Sequence, residues 1–212
     1  MLTSSIKFKN FKNIKSKKIK NFKKEKWFNE IQLLESLKKN YKYSYSKNQI
    51  YKLKKAKNYR LIGMGGSTLG AETIYQFLKH KIKKKFIFIN NLNPQIKDEQ
   101  KKIKATNIII SKSGNTLETI ANSNLLTKNN KNIFITENKK SYLSNLANDL
   151  KAEIIEHKNF IGGRYSVLSE VGMLPAEIMG LNEKKFKRLN YLINNKIFLN
   201  ELIKNVSATL KF

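Results

Sequence analysis

Five short apolar runs, each followed by a stretch with helical spacing, constrain the fold of this chain more than any other feature. Two of the runs, Phe86–Ile89 and Ile108–Ile110, are apolar at every position, as expected for strands that are covered on both faces. Strands that alternate with helices are typical of βαβ units, so we predict a doubly wound, flavodoxin-like α/β domain with a five-stranded parallel sheet. The predicted strands are Tyr59–Met64, Phe86–Asn90, Asn107–Ser111, Asn132–Thr136 and Glu153–Glu156.

Helical extensions are predicted on both sides of this domain. We divide the chain into a basic arm and helix (residues 1–57), the α/β domain (58–180) and C-terminal helices (181–212). An amphipathic helix ending near Asn40 is predicted from apolar residues that recur every three or four positions, namely Trp27, Phe28, Ile31, Leu34 and Leu37. A second apolar stripe runs to the C-terminus without a helix stop signal and contains Phe198, Leu199, Leu202, Ile203, Val206 and Leu210.

The composition argues against several classes of site. The chain has no cysteine and only two histidines, His80 and His157, so neither a disulfide framework nor a zinc site is expected. No stretch approaches the roughly 20 apolar residues of a membrane span. We therefore expect a cytoplasmic protein that needs no metal and does not associate with membranes.

The formal net charge of +28, from 43 basic and 15 acidic residues, would ordinarily indicate a nucleic-acid partner. The excess is mostly lysine, however, and it accompanies asparagine and isoleucine along the whole chain without an arginine-rich or aromatic pattern that reads RNA. We interpret it as a solvated lysine surface and expect no specific nucleic-acid partner. Weak, salt-sensitive binding of polyanions would follow from either interpretation.

The first predicted strand leads into a glycine-rich segment, Gly63–Gly70, here called the glycine turn, just before a helix that begins near Ala71. Glycines allow a close approach of backbone to ligand, and a helix N-terminus attracts anions. An anion site and a tight turn without a ligand both remain open. A dinucleotide cofactor is not favoured, because the second strand ends in Asn90 and Asn91 where an acidic residue would be needed.

The third predicted strand leads into a similar segment, Ser111–Thr116, here called the hydroxyl turn. Its hydroxyl groups and the N-terminus of the next helix could together bind a phosphate. In a sheet of order 2-1-3-4-5 the first and third strands are neighbours, so both turns would open into one crevice that holds a small phosphorylated ligand. Glu118 is interpreted as part of a capping box with Asn115 rather than as a catalytic base.

A third segment, Gly162–Ser166, follows the last predicted strand and is here called the arginine segment. Arg164 after two glycines could approach a ligand and stabilise an anion formed during a reaction, although a surface ion pair is the alternative. His157 is interpreted as a packed or exposed residue rather than a catalyst.

Together the three segments resemble phosphoglucose isomerases, enzymes that interconvert an aldose and a ketose phosphate. The resemblance rests on Ile62–Gly70, Ser111–Thr119 and Gly162–Ser169 with Val171 and Gly172, and it extends from about Trp27 to Phe212. The hydroxyl turn alone would indicate only the wider class of sugar-isomerase domains. Gly-Gly-Arg-Tyr-Ser is the more specific part.

The resemblance implies roles for individual residues. Gly66 and Ser67 would line the substrate pocket, and Gly163 and Arg164 would lie beside the sugar, where Arg164 would be catalytic by stabilising a cis-enediolate. The phosphate would be held by Ser111, Lys112, Ser113 and Thr116. The variant Ser113-Gly114-Asn115 resembles members that also accept mannose phosphate, so a bifunctional isomerase remains an alternative.

The resemblance also implies that part of the active site comes from elsewhere. In the family, a second sugar-isomerase domain supplies a glutamate base, a ring-opening histidine and a lysine, and the enzyme is a homodimer without a cofactor. No position here matches those residues, so we expect weak sugar-phosphate binding and little or no turnover by this chain alone. The remaining alternatives are a sugar-phosphate sensor and a basic polyanion-binding protein.

Overall fold

The computed structural model describes residues 31–92, 103–188, 191–192 and 195–209. The chain divides into two compact units, Asn40–Glu183 and the combination of Met1–Lys39 with Lys184–Phe212. The three-part division at residues 57 and 180 stays a prediction.

The first unit contains a five-stranded sheet in which all strand pairs are parallel. Its strand order is β2-β1-β3-β4-β5, so the predicted fold and the predicted order are both confirmed. All five strands lie within two residues of the predicted positions. They are β1 (Asn58–Gly63), β2 (Lys85–Ile89), β3 (Thr106–Ile110), β4 (Lys131–Thr136) and β5 (Glu153–Glu156).

The central strands are buried because helices cover both faces of the sheet. Every residue of β3 is buried, as is every residue of β1 and β4 after the first. The edge strand β5 buries only Ile155, which explains its shorter apolar run. One cluster of the core joins strands and helices through Ile62, Ile89, Ile109, Leu126, Phe134, Leu143 and Ala147.

Buried polar side chains cross the sheet within the same strands. Arg60 Nη1 donates a hydrogen bond to Asn107 Oδ1 at 3.1 Å, and Asn107 Nδ2 donates to Asn132 Oδ1 at 2.8 Å. Burial lowers the pKa of Arg60. Because buried polar groups are costly unless they are hydrogen-bonded, this network helps to fix the register of β1, β3 and β4.

The helices follow the predicted alternation with the strands. The α-helices are α1 (Lys47–Leu53), α2 (Leu69–Leu78), α3 (Leu117–Leu126), α4 (Tyr142–Asp149), α5 (Glu170–Ile178), α6 (Glu183–Phe186) and α7 (Lys196–Thr209). Short 3₁₀ helices span Gln32–Leu37, Gly65–Ser67, Lys79–Lys81 and Gly163–Leu168.

The helix predicted to end near Asn40 is found in part, but as a short 3₁₀ helix rather than as an α-helix. Residues before 31 lie outside the described part of the chain, and Gln32–Leu37 form a 3₁₀ helix that ends at an extended Lys38. Its N-cap residue, Ile31, provides no side-chain hydrogen bond to the first turn. Without a cap, the apolar spacing alone does not establish a longer α-helix.

The segment between Asn40 and α1 is anchored to helix α5. Tyr41 Oη and the Ser44 amide both donate to the carboxylate of Glu170, which is fully buried. Tyr45 Oη donates to Glu177 Oε1 at 2.8 Å, and burial together with that carboxylate raises the pKa of Tyr45. These bonds fix the helix that follows the arginine segment.

In the second unit, helix α7 confirms the helical period predicted for the C-terminal stripe, of which Leu210 lies outside the described residues. Asn195 Oδ1 begins the helix by accepting hydrogen bonds from the amides of Ile197 and Phe198. None of the helices within the described ranges has the length and hydropathy needed to cross a membrane.

Candidate functional site

The glycine turn follows β1 as a 3₁₀ helix over Gly65–Ser67 and leads directly into α2. Gly65 has a φ of 54°, a left-handed conformation that glycine adopts without strain. The buried Thr68 closes the turn, since its Oγ1 donates to Gly65 O at 3.3 Å. Ser67 is only partly buried, so its hydroxyl lies beside solvent at the start of the helix.

The glycine turn and the arginine segment are in direct backbone contact. A Cβ atom on Gly66 would overlap the carbonyl oxygen of Gly163 and would lie 2.9 Å from the amide nitrogen of Arg164. Ser166 Oγ links the two segments, because it donates to Gly163 O at 2.6 Å and lies 3.2 Å from Gly66 O. A glycine is therefore required at position 66, and two predicted site residues, Gly66 and Gly163, lie together.

The arginine segment begins a 3₁₀ helix, Gly163–Leu168, that leads into α5. Its buried Ser169 donates to Ser166 O at 2.7 Å, and this bond holds the junction between the two helices. Arg164 is exposed and has no ion-pair partner among the described residues. The alternative of a surface ion pair thus finds no support, and the guanidinium is accessible to a ligand.

The hydroxyl turn follows β3, the strand next to β1. Gly114 has a φ of 69°, which allows its amide to donate to Ser111 O at 3.2 Å. Ser111 Oγ and Thr116 Oγ1 lie 2.9 Å apart. Ser111 is buried, Thr116 is partly exposed and Ser113 is exposed, so the turn presents hydroxyl groups to solvent beside the N-terminus of α3.

Ser141 is a neighbour of the hydroxyl turn that sequence reasoning missed. A Cβ atom on Gly114 would overlap Ser141 Oγ, and Leu143 N donates to Gly114 O at 3.0 Å. Ser141 is the N-cap of α4, where its Oγ accepts a hydrogen bond from the Ser144 amide. The Ser-x-x-Ser spacing after β4 was a local signal for this cap, but its contact with the turn depends on tertiary structure.

The predicted capping box of Asn115 with Glu118 is wrong. Thr116 is the N-cap residue of α3, and no side chain makes a capping hydrogen bond there. Asn115 instead accepts a hydrogen bond through Oδ1 from the amide of Tyr142 at 2.9 Å. The bond to α4 competes successfully with the local cap because it satisfies an amide at the N-terminus of another helix.

The Lys112 side chain points away from the hydroxyl groups of its own turn. Its Nζ donates to Asn159 O at 2.6 Å and lies 3.5 Å from Glu137 Oε1. Partial burial raises the pKa of Glu137, but the hydrogen bond and charge of Lys139, followed by those of Lys112, hold it below its ordinary value. The lysine thus joins the hydroxyl turn to the loop that precedes the arginine segment.

His157 lies at the end of β5 and is 1% exposed. Its amide donates to Thr136 O at 2.8 Å, and its Nδ1 lies 3.1 Å from Lys158 O. Burial lowers the pKa of this histidine, with smaller opposing contributions from its hydrogen bond and from Glu170. It is a packed residue, in agreement with one of the two interpretations made from the sequence.

All three segments leave the sheet at the carboxyl ends of its strands. β1 and β3 are so close there that a Cβ atom on Gly63 would lie 2.7 Å from Ile110 O. Crevices at the carboxyl ends of neighbouring strands, where the strand order reverses, are the usual binding sites of open α/β sheets. The three segments therefore bring hydroxyl groups, a helix N-terminus and an exposed arginine to the same end of the sheet, and these are groups that suit an anionic ligand.

Solved structures with the same fold include sugar isomerases. A hypothetical protein from Thermus thermophilus matches 89% of this chain and 49% of its own chain, with a TM-score of 0.63 and 19% identity. The tagatose-6-phosphate ketose/aldose isomerase of Escherichia coli matches 78% of this chain and 48% of its own, with a TM-score of 0.54 and 14% identity. At these identities the likeness shows the fold alone.

Sequence relatives indicate the family more closely. The glucose-6-phosphate isomerase of Borreliella afzelii (strain PKo) is 37% identical over 144 residues, which cover 57% of this chain and 26% of that enzyme. The chain spans well under two thirds of the length of the curated relatives it matches, with shares from 26% to 41%. A family model for phosphoglucose isomerase matches residues 32–190. The chain therefore belongs to the phosphoglucose isomerase family.

Proposed function

We propose that this chain is the sugar-phosphate-binding part of a glucose-6-phosphate isomerase, which interconverts glucose 6-phosphate and fructose 6-phosphate in glycolysis and gluconeogenesis. The observation that carries the proposal is the backbone contact between Gly66 and Gly163, because it joins the glycine turn to the arginine segment beside the strand that bears the hydroxyl turn. Membership of the family supports the same function.

In this proposal the hydroxyl turn binds the phosphate group of the sugar. Ser113 Oγ and Thr116 Oγ1 donate hydrogen bonds to phosphate oxygens, and Ser111 orients Thr116 through the bond between their hydroxyl groups. The free amides at the start of α3 and the backbone amide of Lys112 complete the site. The Lys112 side chain acts through the loop that it holds, since its Nζ is bound to Asn159 O.

The sugar then lies toward the glycine turn, with Gly66 and Ser67 on one side and Arg164 beside the reacting carbons. A general base removes the proton from C2, and the electron pair of that bond forms the C1=C2 double bond while negative charge develops on O1. The fixed charge of Arg164 stabilises this cis-enediolate. The proton is then returned to C1, and O2 becomes the ketone oxygen as its hydroxyl proton moves to O1.

The general base, the ring-opening histidine and the assisting lysine are assigned to a second sugar-isomerase domain, as in the family. The chain by itself would accordingly bind a hexose phosphate weakly and isomerise it slowly or not at all. We further propose that the complete enzyme works in the cytoplasm as a homodimer and requires no cofactor.

Calorimetric titration with glucose 6-phosphate tests the proposal. We expect measurable binding by the chain and at least roughly a tenfold loss of affinity in a Ser113→Ala/Thr116→Val variant, because two charge-assisted hydrogen bonds are removed. Thr73→Ala, which removes an exposed hydroxyl on α2, is the matched control and should bind like the wild type.

Three results would contradict the proposal in different ways. Absence of binding by the folded wild-type chain would remove the proposed site, and equal affinities of the double variant and the control would place the phosphate elsewhere. Rapid formation of fructose 6-phosphate in a coupled assay would show that the chain needs no second domain.

A further inference from the structure

Exposed lysines precede every strand of the sheet. Because the strands are parallel, the connections that lead into them all lie at one end of the sheet, opposite the candidate site. We call this end the amino edge. Its exposed lysines are Lys54, Lys55, Lys57, Lys81, Lys83, Lys85, Lys104, Lys128, Lys131 and Lys151.

Little negative charge accompanies these lysines. Among the described residues that precede the strands, the acidic ones lie beside β5, as Asp149 and Glu153, and Glu153 accepts a hydrogen bond from Gln49. Within the described ranges, ion pairs are formed by Glu137 and Glu201, neither of which binds an amino-edge lysine. Within the described residues, the positive charges of the amino edge therefore outnumber the negative ones and form no ion pairs.

Burial and the positive charge of this edge together lower the pKa of one neighbouring lysine, Lys84. Lys84 is partly buried and donates to Ala56 O at 3.1 Å, and its pKa is lowered first by desolvation and then by the charge of Lys54. The charges of Lys54 and Lys84 therefore repel each other in the free protein. A polyanion that covers the edge would remove this repulsion.

Helix dipoles account for only part of the pattern. Cations near the C-terminus of a helix are stabilising, but the effect falls off within the last turn. Lys54 is the C-cap of α1, and Lys81 ends the 3₁₀ helix Lys79–Lys81, so these two lysines are favoured by a helix end. Helices α2, α3 and α4 carry no basic residue in their last turns. Lys85 and Lys131 are instead the first residues of β2 and β4.

We propose that the amino edge binds the phosphate backbone of nucleic acid without reading its sequence. Strands about 4.8 Å apart make a five-stranded edge roughly 19 Å wide. Duplex DNA carries one charge per about 1.7 Å of its axis, so an edge of this width can face several phosphates at once. Lysine is a point charge that contacts phosphates but does not form the bidentate base contacts of arginine. This partner is compatible with the expectation that no specific nucleic-acid sequence is recognised.

A membrane surface is the less favoured anionic partner. Interfacial binding combines basic residues with apolar side chains that enter the bilayer. Among the described residues that connect helices to strands at the amino edge, the exposed large apolar side chain is Leu150, at 36%. The amino edge therefore has the positive charge that binding to a membrane surface requires, but it lacks a group of exposed apolar side chains that could enter the bilayer.

Fluorescence anisotropy with a labelled DNA duplex of about 20 bp tests the proposal at several salt concentrations. The test variant is Lys57→Gln/Lys85→Gln/Lys131→Gln. The matched control is Lys42→Gln/Lys140→Gln/Lys185→Gln, which removes the same charge from exposed lysines that precede no strand of the sheet. The amino-edge variant should bind roughly tenfold more weakly and flatten the plot of log affinity against log salt by about 3. The control should keep the wild-type slope, and two unrelated duplexes should bind equally.

Several results would overturn the proposal. Equal weakening in both triple variants would mean that net charge rather than the amino edge determines binding, and no saturable binding by the wild type would remove the site. Tighter binding to phosphatidylglycerol vesicles than to duplex at equal phosphate would identify a membrane partner instead. Calorimetry with glucose 6-phosphate should be unaffected in both variants, so this test is independent of the proposed enzymatic function.

Discussion

The two ends of the sheet are built from different residues although they belong to the same five strands. At the carboxyl ends, glycines allow backbone segments to touch, and hydroxyl groups bond to one another across turns. At the amino edge, lysines extend into solvent without ion-pair partners among the described residues. The comparison teaches that charge alone does not locate the candidate site: the formal charge of +28 is concentrated in part at the end away from it.

The largest expected effect is on the contact between the glycine turn and the arginine segment. Gly66→Ala would place a Cβ atom on the Gly163 carbonyl oxygen, and the overlap with backbone should destabilise the fold by about 2–3 kcal/mol. Gly162→Ala is the control, because its Cβ atom would meet Tyr165 at an ordinary 3.5 Å. Urea denaturation measures both free energies of unfolding. If the Gly66→Ala and Gly162→Ala variants were equally stable, Gly66 would have room for a side chain beside Gly163, in contradiction to the close contact between these segments.

A smaller effect on stability should distinguish a lysine at the carboxyl end, Lys112, from a lysine at the amino edge, Lys57. Lys112→Met removes a charged hydrogen bond to Asn159 O that is exposed to solvent, so the expected cost is at most about 1 kcal/mol after allowance for solvent screening. Lys57→Met removes an exposed side chain and should change the unfolding free energy by less than about 0.5 kcal/mol. Both are measured by urea denaturation, and a larger loss for Lys57→Met would reverse the comparison.

Hydrogen exchange sharpens the same comparison without a ligand. If Lys112 holds the loop before the arginine segment, amides of residues 158–165 should exchange faster in Lys112→Met, and Lys112→Arg should restore much of the protection by making a similar bond. Lys57→Met should leave these amides unchanged. Unaltered exchange in Lys112→Met would mean that the lysine does not position the loop.

A further effect, limited to mildly acidic pH, is expected at the carboxyl end. Burial depresses the pKa of His157 below its ordinary 6.5, so below that pH the unfolded chain binds a proton more readily than the folded one. Stability should therefore decline as the pH falls from 6.5 toward the folded-state pKa. A His157→Asn variant followed by thermal denaturation should lose this slope, and a slope equal to that of the wild type would assign it to other groups.

The smallest expected effect concerns salt. Screening should reduce repulsion among the amino-edge lysines and raise stability by a few tenths of a kcal/mol between low salt and about 0.15 M. The Lys57→Gln/Lys85→Gln/Lys131→Gln variant should show less of this gain in urea denaturation. An undiminished gain would indicate that the repulsion is spread over the whole surface.

Features that depend on neighbours in sequence were predictable. The apolar runs of β1 and β3 indicated buried strands, and the βαβ alternation indicated a parallel sheet, for which the flavodoxin-like strand order was assumed and then found. The glycine and hydroxyl turns were visible because the residues that allow tight turns follow those strands directly. The lysines that precede each strand can also be seen in the sequence. Because lysine is frequent along the whole chain, however, their placement ahead of every strand was not recognised.

Features that depend on tertiary contacts were not predictable. Asn115 fits a capping box locally, yet it bonds to the Tyr142 amide on another helix. The approach of Ser141 to Gly114 and the path of the Lys112 side chain to Asn159 likewise join segments far apart in sequence. The physical reason is common to all three: a polar group bonds to the best partner within reach, and the fold rather than the local sequence determines which partners are near.

The most direct test of the central claim is an NMR titration of the chain with glucose 6-phosphate, in which every backbone amide reports separately. The account predicts that amides of the glycine turn, the hydroxyl turn and the arginine segment shift together with a single dissociation constant, whereas those of the amino edge do not move. Shifts confined to one of the three segments, or shifts centred on the amino-edge lysines, would contradict it.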